Sequence, residues 1–456
     1  MKRKGLKKPF TYQNPLIIPF FIPHAGCPFT CVFCNQWQIS GTAEVVRPDE
    51  IDAYVAAYLK RARLHQDRHV EIAFYGGSFT ALAPEIQTAY LQAAAEQQKK
   101  GRICGIRLST RPDFINRAIV ERLLAYGVTT VELGVQSLVD EVLQKTGRGH
   151  TAQDTLLAVE LLREYPLQLG LQLMLGLPGD TPDRARLTLE RAVQAAPDFV
   201  RIYPTLVFKG TTLAQWYLAK QYRPWSLDLA VDTAAAWLGT FSYYEIPVIR
   251  IGLQAAENFT KEQDLLAGPY HPAFGELVAS RLFLWQIEDG LKRLRKGAEA
   301  SENKGAGGPG REDTGKKRRR GPGESRGDEE GERGVLQLLV HPSVQSKVIG
   351  QKRQNIMFLR EKYGYNVVVL PRSQKYRRSD EEIWEGGSAT RSGEKPEAGK
   401  DGENEVEDIE IRTISQAILI PRKEFLKKYR IEIKDATLGE RNEEAGVSEA
   451  TGDPRV

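Results

Sequence analysis

Between residues 16 and 203, short apolar runs alternate with amphipathic stretches of helical length, and few folds accommodate such a pattern. The runs cover residues 16–22, 71–75, 103–110, 129–133, 169–175 and 199–203. The amphipathic stretches cover 51–62, 84–98, 116–126, 152–164 and 183–195. A strand-then-helix unit repeated about six times implies parallel strands, because the chain must cross back over the sheet between them. The expected fold is therefore α/β, a partial parallel (β/α)6 barrel whose working residues sit at the C-terminal strand ends. A further helix over 225–244 and a further strand over 246–252 follow, then the punctuation Gly268-Pro269-Tyr270-His271-Pro272 and a helix over 275–293.

The most specific chemistry lies in Cys27-Pro28-Phe29-Thr30-Cys31-Val32-Phe33-Cys34, just after the first predicted strand. Thiolates are the ligands of iron–sulfur clusters, and a 4Fe-4S cluster takes four, one per iron. Three local thiolates leave one iron open to a small molecule that ligates through its own amino and carboxylate groups. A zinc site is the competing reading and needs a fourth Cys or His at suitable spacing, for which His24 is the nearby candidate. The chain has four cysteines, and three are in this motif, so a disulfide framework is not expected. The fourth, Cys104, lies in an apolar run and is expected to be a buried packing residue.

Other motifs fall on the same predicted rim. Gly76-Gly77-Ser78-Phe79 follows the second strand, Ser109-Thr110-Arg111-Pro112-Asp113 ends the third, and Gln136 follows the fourth. Gly176-Leu177-Pro178-Gly179 follows the fifth. The C-x3-C-x2-C spacing, with an aromatic before the last cysteine, resembles the signature of the radical S-adenosylmethionine (SAM) superfamily. With Val131-Glu132-Leu133-Gly134-Val135-Gln136-Ser137, Gly147-Arg148-Gly149-His150 and Tyr203-Pro204-Thr205-Leu206-Val207, residues 10–295 resemble the radical SAM domain of elongator catalytic subunits. They are similar, more distantly, to oxygen-independent coproporphyrinogen oxidase.

That resemblance implies a 4Fe-4S cluster on Cys27, Cys31 and Cys34, and reductive cleavage of SAM to a 5′-deoxyadenosyl radical. It implies that Gly76, Gly77 and Ser78 offer a backbone edge to the methionine end of SAM. Gln136 and Arg148 would contact its ribose and carboxylate, Ser109 and Gln172 its ribose and amino-acid ends, and Phe33 its adenine. For Arg148 a structural ion pair is the alternative, and for Phe33 a plain core position. Lys209 would face either substrate phosphate or solvent. An electron donor such as flavodoxin or ferredoxin is an implied partner. Elongator subunits also carry an acetyltransferase domain, but no strand-led, Gly-rich pyrophosphate loop is legible after residue 295, so an acetyl-CoA domain is not expected.

Composition supplies the remaining boundaries. The expected units are a barrel over 1–250, an elongator-like extension over 251–297, a disordered charged linker over 298–334, a smaller α+β module over 335–435 and a disordered tail over 436–456. The linker is nearly empty of large apolar residues, so burial cannot offset its ordering entropy, and it contains Lys316-Lys317-Arg318-Arg319-Arg320. Such a run is either solvated or a nucleic-acid contact. Within the module a low-complexity insert covers 373–406. Without it the predicted order is β-α-α-β-β-α, ending in a helix over 415–428 broken near Pro421. That order, with a Gly-led loop between its first two helices, resembles a KH RNA-binding domain. The resemblance implies that Gly350, Lys352 and Arg353 face RNA, although Arg353 stands where a KH loop has its second glycine. A packing module is the alternative.

The chain has a formal net charge of +5, and no apolar run is long enough to span a membrane. A cytoplasmic radical SAM enzyme acting on tRNA or rRNA is the expectation. The same chemistry on a small molecule or peptide, and a non-catalytic iron–sulfur RNA-binding protein, are the alternatives.

Overall fold

The structure is a computed structural model that describes residues 15–22, 26–35, 45–62, 69–253, 264–305, 334–372, 408–412 and 417–430. Its main sheet contains β1 (Leu16–Phe21), β2 (Val70–Tyr75), β3 (Gly105–Thr110), β4 (Val128–Gln136), β5 (Gln168–Leu175) and β6 (Phe199–Pro204). After a short β7 (Val207–Phe208), β8 (Val248–Ile251) joins as the seventh strand, in the order β1-β2-β3-β4-β5-β6-β8. Every pairing in this sheet is parallel. The expected barrel is present, and the further strand extends it by one.

Helices follow the strands because the chain must return. Ile51–Ala62, Pro84–Lys99, Arg117–Ala125, Ala152–Arg163, Pro182–Gln194 and Leu227–Tyr243 cover the sheet's outer face. Their starts are marked by caps: Asn116 accepts from the N–H of Ile119, Thr151 forms a capping box with Asp154, and Ser226 accepts from Leu229. Ile72, Phe74, Ile106, Leu108, Val131, Leu133, Leu171 and Ile202 are buried along the strands. A two-stranded antiparallel ribbon, β7 with β9 (Leu265–Ala267), stands beside the main sheet.

The helix Phe274–Gly305 runs eight residues into the stretch read as linker. The rest of that stretch, to residue 333, the insert at 373–407 and the tail beyond 430 lie outside the described residues, as does His24. Among the described residues no helix is long and apolar enough to cross a membrane.

The C-terminal module is a second sheet, ordered β11-β10-β12-β13 from β10 (Val335–Val340), β11 (Asn366–Pro371), β12 (Ile409–Arg412) and β13 (Ala417–Ile420). β13 corrects the predicted final helix over 415–428. Ile409 pairs with Ile420 and Ile411 with Ile418, and only after Pro421 does a short helix, Arg422–Leu426, begin. A four-residue apolar run has no periodicity to distinguish strand from helix, and its partner strand decided it. Cys104 is also corrected. It lies just before β3 and is exposed, with its Sγ donating to the Val70 carbonyl at 3.0 Å.

The module is fixed to the barrel through the long helix. Buried Gln286 donates to the Ile420 carbonyl (2.9 Å) and accepts from Arg422 (3.0 Å). Asn355 donates to the Ser280 carbonyl and Oγ at 3.2 and 3.0 Å, and Lys362 and Tyr363 both reach Glu288, at 2.7 and 2.9 Å. Trp285 stacks on Tyr429.

Candidate active site

The C-terminal strand ends surround a cavity of about 720 Å³. Cys27, Cys31 and Cys34 line it, together with Phe33, Gly76, Gly77, Ser78, Ser109, Gln136, Arg148 and Gln172. Every residue singled out for the cluster or for SAM therefore meets in one space, whereas Lys209 is not part of its lining.

The cysteine loop is pressed onto the turn after β2. Gly26 has φ +72°, and a Cβ there would lie 2.2 Å from the Ser78 carbonyl oxygen, so only glycine fits. The loop is stitched in place by Val32 N–H donating to the Thr146 carbonyl (3.1 Å) and by Leu213 N–H donating to that of Val32 (2.7 Å). Cys31 is buried, Cys34 is half-buried and Cys27 is exposed as a residue. The Cys27 thiol nevertheless lines the cavity, where burial and then Cys31 push its pKa up while Arg148 and Arg111 oppose the shift. No three His, Cys, Asp or Glu side chains converge on a single-ion site among the described residues.

Arg148 is buried and donates from one terminal nitrogen to Cys31 Sγ at 3.1 Å and from the other to the Gly134 carbonyl. Its Nε is buried with no hydrogen-bond partner. Of the two readings for Arg148, no structural ion pair is present among the described residues, and its terminal nitrogens serve the cysteine loop and the β4 backbone. Gln136 sits beyond a register shift between β4 and β5 with φ +65°, which points its side chain at Gln172, whose Nε2 donates to Gln136 Oε1 at 3.5 Å. Ser78 is occupied differently: its Oγ lies 3.0 Å from Thr110 Oγ1 and accepts from the Arg111 N–H at 3.3 Å, so it braces the turn. Phe33 packs with Val139, Val142, Leu177 and Leu213 and still borders the cavity.

Two features were not read from the sequence. Arg111 forks onto Asp113 at 3.0 and 2.8 Å and lies 4.9 Å from the ring centre of Phe29, clipping the cysteine loop from outside. Across the cavity, Glu132 accepts from Tyr75 (2.9 Å), Arg107 (3.0 Å) and Arg201 (3.0 Å). Arg107 reaches on to Glu71 at 2.7 Å, and Arg201 donates to the Tyr75 hydroxyl at 2.7 Å. Two carboxylates thus balance two guanidiniums in a water-poor wall. Burial, then the Glu132 charge, holds the Tyr75 hydroxyl far above its usual pKa. The available signal was a charged residue within each of four otherwise apolar strands. His150, buried behind this loop, stays neutral, its pKa lowered to about 3 by burial and then by Arg148 and Arg111.

At one edge β8 supplies Ile249 and Arg250 to the cavity, with Leu253 just beyond. The long helix begins there: a Cβ on Gly275 would lie 3.0 Å from the Ile251 carbonyl oxygen.

A parallel partial barrel with a three-cysteine loop at its rim defines a recognisable class. Residues 21–192 match the radical SAM superfamily and residues 197–283 match the Radical_SAM C-terminal domain, so the barrel region carries these two domains in succession. It is 32% identical over 235 residues to a tRNA uridine(34) acetyltransferase of Dehalococcoides mccartyi, covering 44% of this chain and 50% of that protein. It is 27% identical over 198 residues to Elongator complex protein 3 of Saccharomyces cerevisiae, covering 38% and 34% respectively. The solved structure of the archaeal Methanocaldococcus infernus Elp3 with an N-terminal deletion superposes with a TM-score of 0.49 at 22% identity, over 62% of this chain and 64% of that one. The chain spans half or less of the length of these two curated relatives.

Proposed function

We propose that this chain is a radical SAM enzyme that modifies RNA, tRNA or rRNA. The observation that carries the chemistry is the convergence of three cysteines and the SAM-facing polar groups on one cavity. The residues present fit the cofactors. Cys27, Cys31 and Cys34 would hold a 4Fe-4S cluster through three thiolates, leaving one iron for SAM. The orphaned Nε of buried Arg148 fits an anionic partner such as the SAM carboxylate. Gly76 and Gly77 present carbonyls for its ammonium, Ser109, Gln136 and Gln172 present polar groups for its ribose and amino-acid ends, and Phe33 presents an apolar face for adenine. Ser78 acts by holding that edge in shape. When bound and reduced, the cluster supplies the electron that splits SAM into methionine and a 5′-deoxyadenosyl radical.

Around this chemistry the chain's own residues bind, orient and exclude water. Arg148 ties the Cys31 sulfur to the β4 backbone. Arg111 and Phe29 hold the cysteine loop. The reducing electron comes from outside, from a one-electron donor such as flavodoxin or ferredoxin.

RNA is the proposed substrate because of the module and the relatives' named activity on tRNA. Its loop turns through positive φ although the second glycine is missing. Gly350, Lys352 and Arg353 have φ of +78°, +49° and +61°, so Arg353 adopts the left-handed conformation a glycine would take freely. Lys352 and Arg353 are exposed and add charge of the right sign for phosphate.

Gln136→Ala and Arg148→Ala should each weaken SAM binding tenfold or more, on the order of 1.4 kcal/mol, while cluster content stays at the wild-type level. Calorimetric titration of SAM into anaerobically reconstituted protein measures this. Unchanged affinity in both variants would remove these residues from the SAM site. For the substrate, RNA crosslinked to the protein in cells is mapped, and nucleosides from wild-type and deletion strains are compared by mass spectrometry. A nucleoside missing from the deletion strain and residing in crosslinked RNA is the expected result. Identical nucleoside profiles would count against RNA.

A further inference from the structure

The module's docking fixes where its loop lies relative to the barrel. Asn355, in the first turn of the helix Gln354–Tyr363, bonds Ser280, and Tyr363 at its other end bonds Glu288. The two contacts make this helix run in the same direction as Phe274–Gly305, so the loop at 350–353 points toward the start of the long helix. That start abuts the end of β8, beside Arg250 and Leu253 of the cavity lining. A Cβ on Gly350 would lie 3.0 Å from Ser280 Oγ. Ser280 is five residues beyond Gly275, about 8 Å along the helix at 1.5 Å per residue. The loop and the β8 edge of the cavity are therefore joined by about 8 Å of one continuous helix.

We propose that this helix edge is a track: a single-stranded RNA clamped at the loop passes along it and delivers one nucleotide to the cavity at a fixed spacing. The proposal rests on the RNA reading above and adds a geometry to it. The spacing is set by protein and not by a tether, since Asn355, Gln286, Glu288 and Trp285 all fix the module to the same helix. Glu276 marks the path. It is exposed and lies one turn before Ser280 on the same helix face, between the loop contact and the β8 edge of the cavity. A polyanion on this track must pass that carboxylate.

The test uses the full chain and fluorescein-labelled oligouridylates of about four, eight and twelve nucleotides, because a KH-type loop clamps about four. Fluorescence anisotropy at constant salt reads affinity. Binding should tighten at least tenfold from the shortest to the middle length and then level off, as a second contact becomes intramolecular. Glu276→Gln and Glu276→Lys should tighten the middle length progressively and leave the shortest unchanged. Lys352→Glu with Arg353→Glu should weaken all lengths. If the shortest oligomer binds as well as the longest, or the Glu276 variants leave the middle length unchanged, the track is wrong while RNA binding by the loop stands. If no length binds, or the double-Glu variant binds like wild type, the loop reading and the track fall together.

Discussion

Replacing Cys27, Cys31 and Cys34 together by Ala should abolish iron and sulfide incorporation on anaerobic reconstitution, leaving no cluster absorbance. The three thiols line one cavity, and the loop that carries them is held by its own backbone contacts. Gly26 fits only as glycine, and Val32 is bonded at both its N–H and its carbonyl. Removing sulfur therefore removes ligands and not the loop. Cys104 is remote, at the start of β3, and supplies no replacement. Fold retention is checked by circular dichroism, since loss of the whole fold would also lose the cluster. A folded triple variant that keeps full iron and sulfide content would show that the cluster is ligated elsewhere.

Glu132→Ala should destabilise the apoprotein by about 3–5 kcal/mol, the usual cost of removing one partner from a buried ion network. Arg107 is buried and the Arg201 side chain is 13% exposed, and Glu132 accepts from both as well as from Tyr75. Without it two guanidiniums would share Glu71 as their one nearby carboxylate, and only Arg107 contacts it. Equilibrium urea unfolding measures the effect. A midpoint unchanged within about 0.5 kcal/mol, the usual scale of surface substitutions, would mean that water or another group satisfies the pair. The same variant carrying Arg201→Leu should recover part of the loss, because it withdraws one uncompensated charge.

Much of the barrel was legible because local pattern and tertiary placement agree there. Residues 71–75 and 199–203 are short apolar runs that become β2 and β6 almost unchanged. The cysteine spacing is itself local, so Cys27, Cys31 and Cys34 could be named before any strand was placed. The wall opposite them was not legible. Glu71, Arg107, Glu132 and Arg201 are far apart in sequence, and each alone reads as a misplaced charge until the sheet sets them side by side. Arg111 was noted only within a motif. Its contact with Phe29 depends on the turn after β3 meeting the turn after β1. β13 failed for a related reason: a short apolar run takes its conformation from β12, its neighbour in space. Cys104 was assigned to the core from its apolar neighbours, but Ile103 and Gly105 on either side are buried while Cys104 between them is exposed, as alternation along an extended chain requires.

The central claim, that this cavity generates a SAM-derived radical, is tested most directly by chromatography of 5′-deoxyadenosine. Reconstituted protein is reduced with dithionite in the presence of SAM and cell RNA, beside the triple-cysteine variant. The account predicts 5′-deoxyadenosine and methionine in equal amounts from the wild type and none above background from the variant. Equal, background-level yields from both, with a full cluster in the wild type, would contradict it and leave a non-catalytic iron–sulfur protein.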